Sequence, residues 1–371
     1  MNKIIYNILK SPLFRAILNP RYRKIHQVTK GKILISTCDR NRLGDFIMNN
    51  HALLRLKKYY TLTHCCTAAF YKANKVFFEN HCLVDDFFIL PDNKWKKLLS
   101  VFRLRRLRAD AVLIDYHPVV EDIYFYLAGV PVICAVKNSS GFATHAYNFE
   151  KFGTHYARLG ACILDLLSGR KPEEDGSAFF PFRKAPVERW PDADGKYLSM
   201  HIGGATYWMR RWPMEKYLEL AVLYLENHEG VLLLVGGKDE WEENEKFRKI
   251  LEVSCNARGR VTNFCGADLN TTANILAASH VFVGNDSGPM QIANAVNTRV
   301  VAIFGPSILA NLNPAVHNKK NIPVYAGLDC VPCGKHVCKL PADRQFSCLT
   351  DLAVSIVWDR LNYSLNKPGK K

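Results

Sequence analysis

The sequence predicts an α/β protein built from two doubly wound parallel sheets, and three observations carry that reading. Short apolar runs of strand length alternate with segments of helical spacing along most of the chain. The alternation pauses over a polar, proline-bearing stretch at roughly residues 170–195 and then starts again. The third observation is the segment Val281-Phe-Val-Gly-Asn-Asp-Ser-Gly-Pro-Met290 and its continuation to Ser307. It reads as a strand, a Gly-Pro turn, a short helix and a second buried strand. A chain of 371 residues with 48% hydrophobic content is long enough for two domains with real cores.

In the first half, Lys32-Ile-Leu-Ile-Ser36 is a buried strand, and Gly44 to Tyr59 has helical spacing. Further strands are expected near 62–68, 85–90, 111–114 and 130–136, with helices between them. In the second half, Tyr197–Gly203 is a strand running into a glycine turn, and Met214–Leu225 a helix. Gly230–Gly237 is the most apolar strand, followed by a charged helix at Glu240–Val253. A short strand at Val261–Cys265 and a helix at Thr271–Ala278 lead into the signature segment. Its helix begins near Pro289, which suits a first helical turn because the missing N–H would be unpaired there. Small residues Ala293 and Ala295 let that helix lie close to its sheet. Val300–Phe304 is apolar throughout, as a parallel strand covered on both faces should be. The final helix is Leu349–Leu361. The expected boundaries are a basic extension at 1–30, a first domain at 31–180, a second at 181–348, and a C-terminal helix and tail, 349–371, packing back on the first domain.

The net charge of +16 favours anionic partners. Lys94, Lys96, Lys97, Arg103, Arg105, Arg106 and Arg108 interleave with Trp95, Leu98, Leu99, Val101, Phe102, Leu104 and Leu107. That pattern is a basic amphipathic helix, consistent either with contact to an anionic membrane surface or with a solvated charged face. No nucleic-acid-binding motif is present, so no nucleic-acid partner is expected. No apolar run of transmembrane length and no signal-peptide pattern appears, so a cytoplasmic protein is expected. Of 12 cysteines, Cys38, Cys65, Cys66, Cys82, Cys134, Cys162, Cys255 and Cys265 sit in apolar stretches and read as core residues. Cys330, Cys333, Cys338 and Cys348 crowd into one loop. Their thiols suit a structural zinc or iron, and free thiols are the equal alternative.

Asp286-Ser-Gly-Pro-Met290, the small-residue helix after it and Phe304-Gly-Pro-Ser307 resemble the signature of the family 9 glycosyltransferases, the ADP-heptose:lipopolysaccharide heptosyltransferase family. That family usually has His just after the Met, where this chain has Gln291. The resemblance implies two Rossmann-like domains facing a cleft (GT-B type), over essentially residues 30–365. The first domain would bind the acceptor and the second the nucleotide sugar. It also implies inverting transfer of a heptose from ADP-heptose to an anionic acceptor, the inner core of lipopolysaccharide, at the cytoplasmic face of the inner membrane. No cofactor is required for that catalysis.

On that resemblance Asp45 is the general base. A helix start favours its ionised form, although an Asp there also serves as a simple cap. Asp39 is the second candidate. The family's Thr-Pro pair is replaced here by Asn49-Asn50-His51. For the diphosphate, His201-Ile-Gly-Gly-Ala-Thr206 offers close backbone approach and a hydroxyl, and Arg210 or Arg211 a cation, Arg210 matching the family's basic position better. Ser287 and the N–H groups of Gly288 and Met290 complete the cradle, with Gln291 beside them. For the nucleoside, the resemblance points to Glu240 at the ribose and Ala267 against the base, with Asp286 bonding the sugar or ribose. Two other readings stand beside this one. The same fold could use another nucleotide sugar or a protein or other glycan acceptor, or the chain could be a non-catalytic sugar-nucleotide-binding protein.

Overall fold

A computed structural model describes residues 11, 17, 19–21, 27–36, 53–72, 83–91, 93–114, 122–135, 142–146, 167–170, 180, 182–187, 190, 196–204, 211–255, 257–307, 313–316, 318–334 and 337–367. The chain divides into two compact units whose main boundary falls between Asp175 and Gly176.

The first unit holds β1 (Gly31–Ser36), β2 (Tyr60–Thr67), β3 (Asp86–Leu90), helix α1 (Lys94–Arg106), β4 (Ala111–Ile114), helix α2 (Asp122–Leu127), β5 (Val132–Ala135) and β6 (His145–Ala146). All strand pairs are parallel, in the order β3-β2-β1-β4-β5-β6. Central strand β1 runs in register with Tyr60–Cys65 on one side and Ala111–Ile114 on the other. Its core gathers Leu34, Val112 and Ile133 from the strands with Val101 and Leu104 of α1 and Phe125 and Tyr126 of α2.

The second unit repeats the plan. It contains β7 (Tyr197–His201), α3 (Met214–Asn227), β8 (Val231–Leu234), α4 (Trp241–Ser254), β9 (Val261–Asn263), α5 (Leu269–Ala278), β10 (Val281–Asn285), α6 (Gly288–Ala295), β11 (Arg299–Phe304), β12 (Ile322–Tyr325) and α7 (Val354–Asn366). The sheet is again wholly parallel, in the order β12-β11-β10-β7-β8-β9. In each unit, numbered locally, the order is 3-2-1-4-5-6. The order therefore reverses between the first and fourth strands, the place where such sheets open a ligand crevice at their carboxyl ends. In the second unit that point lies between β7 and β10.

The expected α/β class with two parallel sheets is therefore observed. The C-terminal helix α7 packs on the sheet of the second unit. Val354, Val357, Leu361 and Leu365 of α7 are buried in the core of the second unit with Leu198, Val283, Val301 and Ile303. Arg299 ties its end down by donating to the carbonyls of Ser364 and Lys367, both at 2.8 Å. An amphipathic pattern states that a face is buried, not against which sheet, and the nearer apolar surface was its own.

The cysteines expected in the core follow that expectation where they are described. Cys65, Cys66, Cys134 and Cys265 are buried and Cys255 is half-buried, while Cys38, Cys82 and Cys162 lie outside the described residues. Burial pushes the thiols of Cys66 and Cys134 up to about 12, which keeps them protonated and inert.

Candidate functional site

The carboxyl ends of β7 and β10 bring four polar side chains together at the switch point of the second sheet. Each ends an apolar strand or follows it directly. β7 ends at His201 and β10 at Asn285, with Asp286 and Ser287 next. The strands are in register, with Gly284 opposite His201.

His201 bridges two of the expected donor-site residues. Its Nε2 lies 3.1 Å from Glu240 Oε2, and its Nδ1 lies 2.9 Å from Ser287 Oγ. Glu240 is only 5% exposed, so the carboxylate that the sequence left open to an ordinary exposed helix start is a core group. Room for it comes from two glycines. A Cβ on Gly203 would stand 1.9 Å from Glu240 Oε1, and one on Gly236 2.4 Å from Oε2. Oε2 also accepts from the Gly237 N–H at 2.7 Å. Burial pushes this carboxyl up, but the hydrogen bond and positive charge available from His201, the Gly237 N–H and nearby Arg211 outweigh it and hold the group at about 2. Glu240 is thus kept ionised, and its buried Oε1 makes no hydrogen bond within the described residues. An unsatisfied buried carboxylate oxygen costs stability and gains from a hydroxyl donor.

With Nε2 donating to the ionised Glu240, Nδ1 is left to accept a hydrogen bond from the Ser287 hydroxyl.

Ser287 occupies the N-cap of α6 in extended backbone, with Pro289 in the first turn, yet no side chain caps the helix. The Ser287 hydroxyl is turned to His201 instead. The first-turn N–H groups of Gly288 and Met290 are therefore left without a side-chain cap, with the positive end of the helix dipole behind them. Gln291, in the same turn, is buried, and its Nε2 has no partner among the described residues. Asp286 is half-buried at the head of this turn, its backbone N–H bonded to the carbonyl of Ile303 on β11. Ala267 is half-buried in the turn after β9, at the same end of the sheet, bonded to the carbonyl of Phe264.

Asn285 locks the frame. Its Oδ1 accepts from the Trp212 N–H at 2.9 Å, and its Nδ2 donates to the Gly203 carbonyl at 2.8 Å. Trp212 is buried and donates from Nε1 to the Leu352 carbonyl, and Pro213 stands at the N-cap position of α3. Arg211, the alternative phosphate cation, is committed elsewhere. It bonds the Gly204 carbonyl and the Glu243 carboxylate, both at 3.1 Å. Thr206 and Arg210 lie outside the described residues, as do Asp45 and Asp39.

His201 and Asn285 were not assigned a role from sequence. The available signal was a polar residue ending a largely apolar strand, one residue before a glycine pair in one case and immediately before an acidic turn in the other.

The loop of Cys330, Cys333, Cys338 and Cys348 docks on the same end of the sheet, the Gly334 N–H bonding the Pro306 carbonyl at 2.7 Å. All four thiols are free. Burial and the neighbouring Cys333, Cys330 and Cys338 push Cys348 up to about 11. Four thiolates are chemically apt ligands for zinc or iron. Even so, among the described residues no group of three or more His, Cys, Asp or Glu is arranged to hold a metal ion. The expected four-cysteine metal set is not assembled by these residues as they stand.

The chain is similar to known proteins in sequence and in fold. Residues 178–342 match glycosyltransferase family 9 (heptosyltransferase). Lipooligosaccharide heptosyltransferase 2 of Campylobacter jejuni is 28% identical over 158 residues, 42% of this chain and 48% of that protein. Lipopolysaccharide heptosyltransferase 2 of Escherichia coli is 29% identical over 154 residues, 41% of this chain and 42% of that protein. The matches thus span about half the length of these relatives. The structure of the E. coli ADP-heptose LPS heptosyltransferase II is similar in fold, with a TM-score of 0.67 and 18% identity over 90% of this chain and 98% of that one.

Proposed function

Because its second unit carries the glycosyltransferase family 9 domain, we propose that this protein is an inverting glycosyltransferase that moves a heptose from ADP-heptose to an anionic acceptor, the inner core of lipopolysaccharide. The observation that carries the donor half is the Ser287–His201–Glu240 chain at the switch point, beside an uncapped helix start. A nucleoside diphosphate needs what this arrangement offers. The uncapped N–H groups of Gly288 and Met290 receive a phosphate oxygen, and Ser287 adds a hydroxyl. The ionised Glu240 presents Oε1 to a ribose hydroxyl, with Ala267 against the base and Asp286 at the sugar or ribose. Gln291 offers a neutral amide donor in place of the family's usual histidine. Arg210 and Thr206 supply the cation and hydroxyl that complete charge neutralisation of the departing diphosphate, so no metal ion is needed there.

Asp45 removes the proton from the acceptor hydroxyl. That oxygen forms its bond to the anomeric carbon from the face opposite the diphosphate while the bond to the diphosphate oxygen breaks and ADP departs with the electron pair. Residence at the cytoplasmic side of a membrane agrees with such an acceptor and with the positive charge of the chain.

Binding of the purified protein to ADP-heptose against UDP-, GDP- and CMP-sugars tests the reading. Selective binding of ADP-heptose is expected. Preference for another donor would retain the fold and the base but overturn the heptose assignment. No binding to any would leave a scaffold without this activity.

A further inference from the structure

Helix α1 of the first unit carries two apolar faces, and only one is covered. Ser100, Val101 and Leu104 are buried, the two apolar residues within the unit's core. The opposite face shows Trp95, 78% exposed, Leu99 at 65%, Phe102 at 70%, and Leu98. These four positions stand at spacings of three, four and seven residues, so they form one stripe along two turns. Single exposed apolar side chains are ordinary, but a contiguous aromatic and leucine stripe marks a contact surface.

The charges around the stripe identify what covers it. At 100° per residue, Lys96 and Arg103 fall on one flank, Arg105 on the other, and Arg106 at the C-terminal end of the stripe. Between Lys94 and Arg108 the chain has seven basic residues and no acidic one. The nearest following acid, Asp110, is engaged by Arg21 at 2.9 Å and by the Lys32 N–H at 3.0 Å, so it does not neutralise the helix arginines. Arg105 and Arg108 also line, with Arg21 and Gly129, a surface cavity of about 380 Å³.

A nucleic acid would meet the cations but leave the leucines and aromatics against water or phosphate. A protein partner would need a groove shaped to a convex ridge and lined with acids. A fluid bilayer closes around a ridge of any shape, takes Trp and Phe at its boundary, and offers phosphates where flanking Lys and Arg reach up from the apolar stripe. We propose that α1 docks this protein on an anionic lipid bilayer. Trp95, Leu98, Leu99 and Phe102 seat at the acyl boundary, and Lys96, Arg103, Arg105 and Arg106 lie at the level of the phosphates. No helix among the described residues is long and apolar enough to cross a membrane, so this contact lies in the plane of the surface. The proposal rests on α1 alone and is independent of the donor bound by the second unit.

Vesicle flotation of the full-length chain tests it, using phosphatidylcholine vesicles with and without phosphatidylglycerol. Anionic vesicles are expected to bind the protein at least about tenfold better than neutral ones, and high salt should weaken the binding. The triple variant Trp95→Ser, Leu99→Ser, Phe102→Ser changes only exposed side chains and should keep the wild-type thermal unfolding. It is expected to lose at least about tenfold in binding to anionic vesicles, as is Lys96→Glu, Arg105→Glu, Arg106→Glu. Absence of flotation at low salt, or a serine variant that floats like the wild type, would overturn the proposal. So would an α1-dependent dimer in light scattering without vesicle binding, because a second copy would then cover the stripe.

Discussion

Helices α1 and α5 stand at the same station in two copies of one topology, each joining the third strand of its sheet to the fourth. Each opens with a side-chain cap. Asn93 Oδ1 accepts from the N–H groups of Trp95 and Lys96, and Asp268 Oδ1 from those of Asn270 and Thr271. Their outer faces differ. On α5, Asn270 and Asn274 hold the segment leading into the second unit. The Arg183 and Ala185 N–H groups donate to their oxygens, and both amides donate to the Arg183 carbonyl. On α1 the outer face is a bare aromatic and leucine stripe ringed with cations. The fold requires a helix at this station and a buried inner face. It does not require Trp, Phe and four cations facing water, so that difference belongs to what the first unit touches. The two sheets differ in the same way. The second collects His201, Asn285 and Ser287 at its switch point. The expected base Asp45 follows β1 in sequence.

The largest expected effect tests that division of labour. Asp45→Asn should lower turnover by about a hundred- to ten-thousandfold, as loss of a general base does, while donor affinity stays within about twofold. Stopped-flow transfer assays and calorimetric donor titration separate the two quantities. Unchanged turnover would rule Asp45 out as the base.

Glu240→Gln probes the second unit. The neutral amide loses the carboxylate that His201 Nε2 and the Gly237 N–H bond, and should weaken donor binding at least about tenfold and stability on the order of 2 kcal/mol. The pH dependence has a defined sign. The folded carboxyl sits at about 2, below its ordinary 4.5. Its contribution is therefore complete above pH 4.5 and is lost as pH falls from there toward 2. Urea unfolding of wild type and variant should show a constant gap near neutrality that closes below pH 4.5. A gap that widens on acidification contradicts an ionised Glu240.

How far the sequence could foretell this depends on where the information lies. β4 was readable to the residue, Ala111–Ile114, because a parallel strand covered on both faces is a continuous apolar run. Edge strands β6 and β12 were missed. β6 has two residues, and Ile322-Pro-Val-Tyr325 carries a proline and is largely half-exposed, so neither shows the buried pattern. The α6 turn was legible because Asp286-Ser-Gly-Pro-Met290 is contiguous. The burial of Glu240 was not, because its cavity is made by Gly203 and Gly236 at the ends of two different strands. An acid opening a charged helix looks solvated until those ends meet. The engagement of Arg211 with Glu243 was hidden for the same reason, being a contact across 32 residues of chain.

The smallest expected effect sharpens the helix comparison itself. Asn93→Ala and Asp268→Ala each remove a cap and should cost about 1 kcal/mol in urea unfolding. Asp268→Ala is expected to cost the more, because that carboxylate also accepts from the Thr271 hydroxyl at 2.6 Å, whereas the two amide bonds of Asn93 are 2.9 and 3.4 Å. Neither cap touches an outer face. Asn93→Ala should therefore leave binding to anionic vesicles within about twofold of wild type, because Val101 and Leu104 still hold α1 on its sheet. If removing the cap abolished vesicle binding while global stability fell by only that amount, the lipid contact would depend on the first turn around Trp95 being fully helical. The stripe would then act as one rigid unit and not as four separate side chains.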